Sequence, residues 1–220
     1  PKGYAAATST GTGNWGAAFD GAGEWTPITR MTVKIHGCCG HIFPALDALA
    51  TLRAEHGFDP QDIAAIRIEG YGPTKDICDR PDPQVAQEAR FSAQYCLAAQ
   101  MVLGGVRLAA FTPEALINPD IRAIMPCITV ERAEDLAAEY PRKRMARLHV
   151  TLKDGRSWMH FQPSRRGDPD NPISRADLQA KYEELAGPVL PEAELERLRK
   201  TIFDGADLPD AVIKKPTHNT

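Results

Sequence analysis

The stretch from Arg147 to Phe161 reads RLHVTLKDGRSWMHF, two short runs joined through Lys153-Asp154-Gly155-Arg156. Period-two alternation puts Leu148, Val150 and Leu152 on one face of a strand, and Asp-Gly favours the positive φ of a tight hairpin turn. No other stretch carries as strong a β signal. Outward from it the periodicity changes. Ile42, Ala45, Leu46, Leu49 and Leu52 recur at intervals of three and four, with Pro44 in the first turn and Gly57 at the end, which predicts a helix. Val85, Ala89, Ser92, Cys96, Ala99 and Leu103 alternate gaps of four and three up to Gly104-Gly105 and predict one long helix with a narrow, small-residue seam. Ile63 to Ile68 reads as a β-branched strand stopped by Gly70-Tyr71-Gly72-Pro73, with a loop running on through Pro83. Met31 to Ile35 reads as a further half-buried strand ended by Gly37. Thr112-Pro113 and Asn118-Pro119 each pair a capping side chain with a proline suited to the first helical position. Ser174 with Asp177, and Pro191 ahead of Leu195, Leu198 and Ile202, open two more helices.

Few strands, several helices and one hairpin indicate an α+β fold: a small, mostly antiparallel sheet packed with helices, followed by C-terminal helices. Residues 1–30 form a Gly-, Ala- and Thr-rich lead-in, 31–163 the α+β domain, 164–205 the C-terminal helices, and 206–220 a polar, proline-punctuated tail expected to be disordered. The short sheet argues against a doubly wound nucleotide fold, and neither G-x-G-x-x-G nor G-x-x-x-x-G-K-[ST] occurs.

The 220 residues are 43% hydrophobic and 25% charged, as in an ordinary globular protein, and the net charge of −3 leaves no basic footprint for nucleic acid. The longest apolar run, Tyr95 to Val106, is about half the roughly 20 residues needed to span a bilayer, so it is expected as a buried helix and no membrane contact is expected. The five cysteines are an odd number without framework spacing, which fits free thiols in a reducing cytoplasm. No charged segment leads into an apolar one at the start, so nothing marks a secreted precursor. A start at Pro1 rather than methionine is read as a processed product or a fragment.

Reactive groups concentrate at Lys34-Ile35-His36-Gly37-Cys38-Cys39-Gly40-His41, where the first strand meets the first helix. A cation, two imidazoles and two thiols stand there beside the unpaired N–H groups of a helix start, which favour anions. The plainer alternative keeps the cysteines as small buried hydrophobes, the histidines as packing or capping groups and Lys34 as a solvated strand residue. Structural zinc is disfavoured because it takes cysteine pairs two to four apart plus a distant second pair, so no metal is expected. A Cys nucleophile activated by His36 or His41 lacks a visible third group. Glu88 and Arg90 suit an exposed polar face, and Arg165-Arg166-Gly167-Asp168 suits either a carboxylate clamp or a surface loop.

Four blocks together resemble the MmgE/PrpD family: Lys34 to Leu49 (KIHGCCGHIFPALDAL), Glu88 to Cys96 (EARFSAQYC), Gly104 to Thr112, and Leu152 to Ser174 (LKDGRSWMHFQPSRRGDPDNPIS). The resemblance runs from about Gly3 to about Asp204. It implies the smaller α+β domain of a two-domain protein, with the large helical domain, or a helical subunit, as the missing partner. The family's members include 2-methylcitrate dehydratase, cis-aconitate decarboxylase and iminodisuccinate epimerase. The resemblance further implies a cofactor-free site between the domains, a small di- or tricarboxylic acid substrate, a homodimer, and histidine and aspartate acid–base groups taken largely from the helical part. Lys34 matches the lysine that leads the family block, and Cys39 occupies a position that is histidine in some members. His41 lies in the same block, and Phe43 stands where many relatives carry a second histidine. Lys34, Cys39 and His41 are therefore the candidate catalytic residues, with Arg90 and Arg165 as candidates for substrate contact. Proton removal α to a carboxylate piles charge on the carboxylate oxygens, which a preorganised ammonium and N–H cluster stabilises. Decarboxylation, water elimination and epimerisation share that charge development. The rival expectation is a non-catalytic module or fragment that docks onto a helical partner.

Overall fold

A computed structural model describes residues 31–205, together with Ala17, Asp20, Gly21 and Gly23. The chain divides into residues 1–32 and residues 33–220, and the elements below belong to the second unit. In the first unit, the Asp20 N–H meets the Ala17 carbonyl at 3.3 Å.

The hairpin forms where its alternation places it. β3 (Ala146–Leu152) and β4 (Ser157–Gln162) pair antiparallel across a turn in which Gly155 adopts φ 90°, a conformation a Cβ would penalise. β1 (Ile63–Gly70) pairs antiparallel with β3 and parallel with β2 (Ile128–Arg132), giving the order β2-β1-β3-β4. The sheet is thus mixed, with two of its three pairings antiparallel. Register aligns apolar residues in rows: Ile66 faces Ile128 and Val150, and Ile68 faces Val130 and Leu148. That row is buried, whereas Arg67, Glu69, Glu131, Arg147 and His149 line the opposite face, as expected when helices cover one side only.

The covering layer starts with α1 (Phe43–His56), closed at Gly57 and packed on β3 and β4. α4 (Ala93–Leu103) lies against α1 and is buried from Ala93 to Met101, as its apolar composition requires. The small seam lets helices approach closely, and Gln100 uses the approach to donate to the Leu46 carbonyl at 2.8 Å. α5 (Pro113–Leu116) and α6 (Pro119–Ile124) begin as their Thr-Pro and Asn-Pro pairs predict, with Thr112 Oγ1 accepting from the Ala115 N–H and Asn118 Oδ1 from the Asp120 N–H. α8 (Arg175–Ala186) starts at the Ser174–Asp177 capping box, and α9 (Glu192–Asp204) follows Pro191. The two hold together through Tyr182, whose hydroxyl donates to the Leu195 carbonyl at 2.8 Å.

Four local expectations change. Residues 31–35 carry no strand: the Val33 N–H goes to the Gly167 carbonyl and the Gly37 N–H to the Val106 carbonyl, so loops and not a sheet neighbour satisfy this backbone. The expected loop after Gly72 contains α2 (Gly72–Cys78), with Pro73 in its first turn. The expected long helix from Val85 is broken into α3 (Ala86–Ala89) and α4. Ser92 causes the break: its Oγ accepts from the Tyr95 N–H at 3.0 Å and donates to the Arg80 carbonyl at 2.6 Å, a cap worth about 1 kcal/mol. β2 and α7 (Glu134–Glu139) are elements that the periodicity did not suggest. The lead-in and the tail expected at 206–220 lie outside the described residues apart from the four positions named above.

Candidate active site

The Lys34–His41 segment enters α1 as a tight corner braced from behind by Arg90. The Arg90 guanidinium donates to the Gly37 carbonyl at 2.6 Å, and the Arg90 backbone carbonyl accepts the Cys39 N–H at 2.8 Å. That guanidinium also lies over the Phe111 ring, 4.1 Å from its centre, so these contacts occupy it. His36 is similarly engaged, with Nε2 3.2 Å from Asp47 Oδ1 and its ring edge-on to Phe43. Asp47 also accepts the Arg166 N–H, which fastens the 165–168 loop to the corner. Behind Lys34, Lys181 of α8 donates to the Lys34 carbonyl, and Arg107 pairs with Glu184, so the C-terminal helices are tied in as well.

Cys39, His41 and Arg165 converge in front of this brace. Arg165 is buried and grips Asp168 in a two-pronged ion pair, Nε to Oδ2 at 3.0 Å and Nη2 to Oδ1 at 2.6 Å. Its approach depends on Gly40, since a Cβ there would fall 2.9 Å from Arg165 Nη1. The sequence RRGD is therefore a clamp on its own aspartate. His41 Nδ1 shares a 2.9 Å hydrogen bond with the hydroxyl of Tyr71, a fully buried side chain at the junction of β1 and α2. Tyr71 stacks on Tyr140 with centres 4.8 Å apart, and the Arg144 guanidinium stands 5.8 Å from the Tyr140 ring centre. Ile42 offers no side-chain cap and the first turn of α1 holds no acidic residue, so the positive helix end also faces this region.

These surroundings shift protonation in opposite directions. The Cys39 thiol is lowered to about 6, mainly because the Cys78 thiol donates to it; burial opposes the shift, and the His41 N–H, Lys34 and Arg165 add to it. Cys78 is pushed up as the donor of that pair and by burial. Burial, with Arg144, Arg165 and Lys34 nearby, lowers His41 below the ordinary imidazole value, which leaves it neutral at pH 7. Burial raises the Tyr71 phenol, so it stays protonated. Lys34 is itself exposed, yet its field reaches both Cys39 and His41. Among the described residues, no three His, Cys, Asp or Glu side chains are grouped to hold a metal ion.

Of the five residues singled out from sequence, Lys34, Cys39, His41 and Arg165 act on one another, while Arg90 stands behind them. Tyr71, Cys78, Tyr140 and Arg144 were missed. An aromatic between two glycines at a strand end, and the basic run Arg142-Lys143-Arg144 after Tyr140, were the available signals.

The profile of the MmgE/PrpD C-terminal domain matches residues 36–204. The chain belongs to the MmgE/PrpD family. It is 28% identical over 171 residues to cis-aconitate decarboxylase of Homo sapiens, covering 76% of this chain and 35% of that protein. It is 25% identical over 141 residues to the Mus musculus cis-aconitate decarboxylase, covering 64% of this chain and 29% of the mouse protein. The cis-aconitate decarboxylase-like protein oryM of Aspergillus oryzae matches over 195 residues at 25% identity, 82% of this chain and 38% of oryM. The chain thus spans about a third of the length of the curated relatives it matches. Among the described residues no helix is long and apolar enough to cross a membrane.

Proposed function

We propose that this chain supplies the carboxylate-binding wall of a cofactor-free lyase or isomerase that removes a proton α to a carboxylate of a small di- or tricarboxylic acid. The observation that carries the proposal is His41, neutral and fixed by Tyr71, set among the fields of Lys34, Arg144 and Arg165. Lys34 binds a substrate carboxylate and, beside Arg165 held in place by Asp168, stabilises the enediolate-like charge, since cations already oriented in a partly dry corner cost no reorganisation during the reaction. His41 moves a proton; an unprotonated imidazole whose ring is held by a hydrogen bond suits a general base, a contribution of about 10²–10⁴-fold. Cys39 lines the corner, and Arg90 acts as a positioning residue through Gly37 and Cys39. The names of the relatives favour decarboxylation of cis-aconitate, with dehydration or epimerisation of a similar acid as neighbouring possibilities.

A helical domain or subunit completes the site and contributes further acid–base groups, in keeping with the third of the relatives' length that this chain spans. The complete enzyme is a homodimer, and its free thiols suit the reducing cytoplasm. Turnover of cis-aconitate and 2-methylcitrate by the full-length protein and its Lys34→Ala variant tests the proposal. Loss of turnover in the variant is expected, and normal turnover removes the role of Lys34. Activity of residues 1–220 alone would dispense with the partner, whereas activity only after adding the helical part supports it. A chain that binds the helical part with no turnover on any such acid is instead a docking module.

A further inference from the structure

One cation of the corner is held in place without a carboxylate of its own. Arg144 stands between α7 and β3, half-buried, with its guanidinium carbon 5.8 Å from the centre of the Tyr140 ring. Tyr140 stacks on the fully buried Tyr71, and both rings stand edge-on to His41, their centres 6.2 and 5.5 Å from that of the imidazole. An aromatic wall thus holds the guanidinium one ring away from the proposed base, and such a contact fixes a cation without consuming its N–H groups.

Those N–H groups find no acceptor in the fold. Arg144 Nε is buried, and among the described residues no oxygen accepts its hydrogen. Every other arginine among the described residues donates to, or pairs with, a carboxylate or a carbonyl. Carboxylates close by in the chain are committed elsewhere: Glu134 to Arg132, Asp135 to Arg147, and Glu139 to Arg142 and Lys143. A buried donor on a charged group is costly to leave unmatched, so sparing this guanidinium alone calls for a reason, and an anionic ligand supplies one.

We propose that Arg144 is a specificity-determining residue that receives a second carboxylate of the substrate, so that acids with two or three carboxylates are selected over their monocarboxylic counterparts. Resting on the reading of the corner as a carboxylate-binding wall, this assigns the cations to different ends of the acid. Lys34, beside Arg165, takes the carboxylate next to the carbon that loses its proton, and Arg144 takes the distal one. Beyond burial, Arg144 is the leading influence on both His41 and Tyr71, whereas Lys34 and Arg165 add to the hydrogen bonds that act on Cys39, in keeping with cations on two sides of the imidazole. The planar fork of a guanidinium suits a carboxylate, which accepts two parallel N–H···O bonds. An analogue with a methyl group at that end leaves the buried donor unmatched, which is how a polar site rejects it.

Dissociation constants in the full-length protein, from ligand-observed NMR at pH 7, test this with tricarballylate, glutarate and butyrate, saturated acids with three, two and one carboxylates. The parent is expected to bind glutarate about 10–100-fold more tightly than butyrate, the range of one charge-assisted pair. In Arg144→Gln that preference is expected to shrink below about threefold with butyrate binding unchanged, and in Arg144→Lys, which keeps the charge and loses the fork, to fall between. A purely structural role would weaken all three acids alike. A further measurement needs no variant: phenylglyoxal modification of Arg144, read by peptide mapping, is expected to be slowed by glutarate and not by butyrate. A parent without preference for glutarate, a preference kept in Arg144→Gln, equal weakening of all three acids there, or modification of Arg144 indifferent to glutarate would each overturn the proposal. Glutarate binding that is lost in Lys34→Ala but intact in Arg144→Gln overturns the role of Arg144 alone, whereas a parent that binds none of the three acids removes the carboxylate-binding wall with it.

Discussion

Two charged regions of this chain use the same residue types to opposite effect. On the open face of the sheet, Arg147 meets Asp135 with two hydrogen bonds of 2.7 and 2.8 Å and Glu69 with one of 2.6 Å, while Arg67 bridges Glu69 and Glu131. Cations there are matched by carboxylates of the fold itself, and the field is spent within the network. At the entry to α1 Arg165 is also matched, by Asp168, but burial together with the fields of Arg144, Arg165 and Lys34 lowers the His41 imidazole, and Lys34 and Arg165 add to the hydrogen bond that lowers the Cys39 thiol. Matched charge organises a surface. Positive field that reaches an imidazole and a thiol beyond its own ion pairs is what a carboxylate ligand exploits.

The largest expected difference between the regions is catalytic. In the full-length protein His41→Gln is expected to lower kcat/KM for the preferred acid by about 10²–10⁴-fold, whereas Glu69→Gln leaves it unchanged. Equal losses in the two variants would erase the distinction. Tyr71→Phe keeps the stack on Tyr140 but deletes the hydroxyl that orients His41. A fall in kcat of about tenfold with little change in KM is expected, the scale of one hydrogen bond of about 1.4 kcal/mol.

The pH dependence separates the regions further. A base whose proton affinity is depressed stays active as the medium is acidified, so the acid limb of kcat/KM is expected below the ordinary imidazole value of about 6.5 and should move up in Arg144→Gln. An acid limb above 6.5 would contradict the lowered value. The smallest effect belongs to stability. Burial pushes the Glu69 carboxyl up, but the hydrogen bonds from Arg147 and Arg67 outweigh it and hold the group below its ordinary value. Its stabilisation is therefore present above about pH 4.3 and lost as pH falls through the lower folded value. Urea unfolding at pH 7 is expected to show Glu69→Gln less stable by about 1 kcal/mol, with the deficit shrinking under acid.

Legibility in the sequence followed how local each determinant was. The hairpin, the Ser174–Asp177 box and the Thr-Pro and Asn-Pro starts are set by neighbours a few residues apart, and all stand where they were read. Ser92 shows a local signal overruled by a stronger periodic one: it was counted as a seam residue of a continuous helix, while its hydroxyl caps a new one. β2 is five residues long and earns its place by parallel pairing with β1, a contact from far along the chain. Residues 31–35 have strand composition but find loop partners. The candidate site divides in the same way. Lys34, Cys39 and His41 sit in one block and were legible together, as was Arg165 through its RRGD loop. Tyr71, Cys78, Tyr140 and Arg144 reach the corner from three other segments, and their role arises only when the fold brings those segments together.

Protection of the Cys39 thiol reports most directly on whether this corner takes a carboxylate. Iodoacetamide labelling of Cys39 in the full-length protein would be timed at pH 7 with and without cis-aconitate, in the parent chain and in Lys34→Ala. The expected result is labelling slowed by the acid in the parent and indifferent to it in the variant. Labelling of the parent that proceeds at one rate, whatever the concentration of acid, would contradict an anion-binding wall at the start of α1.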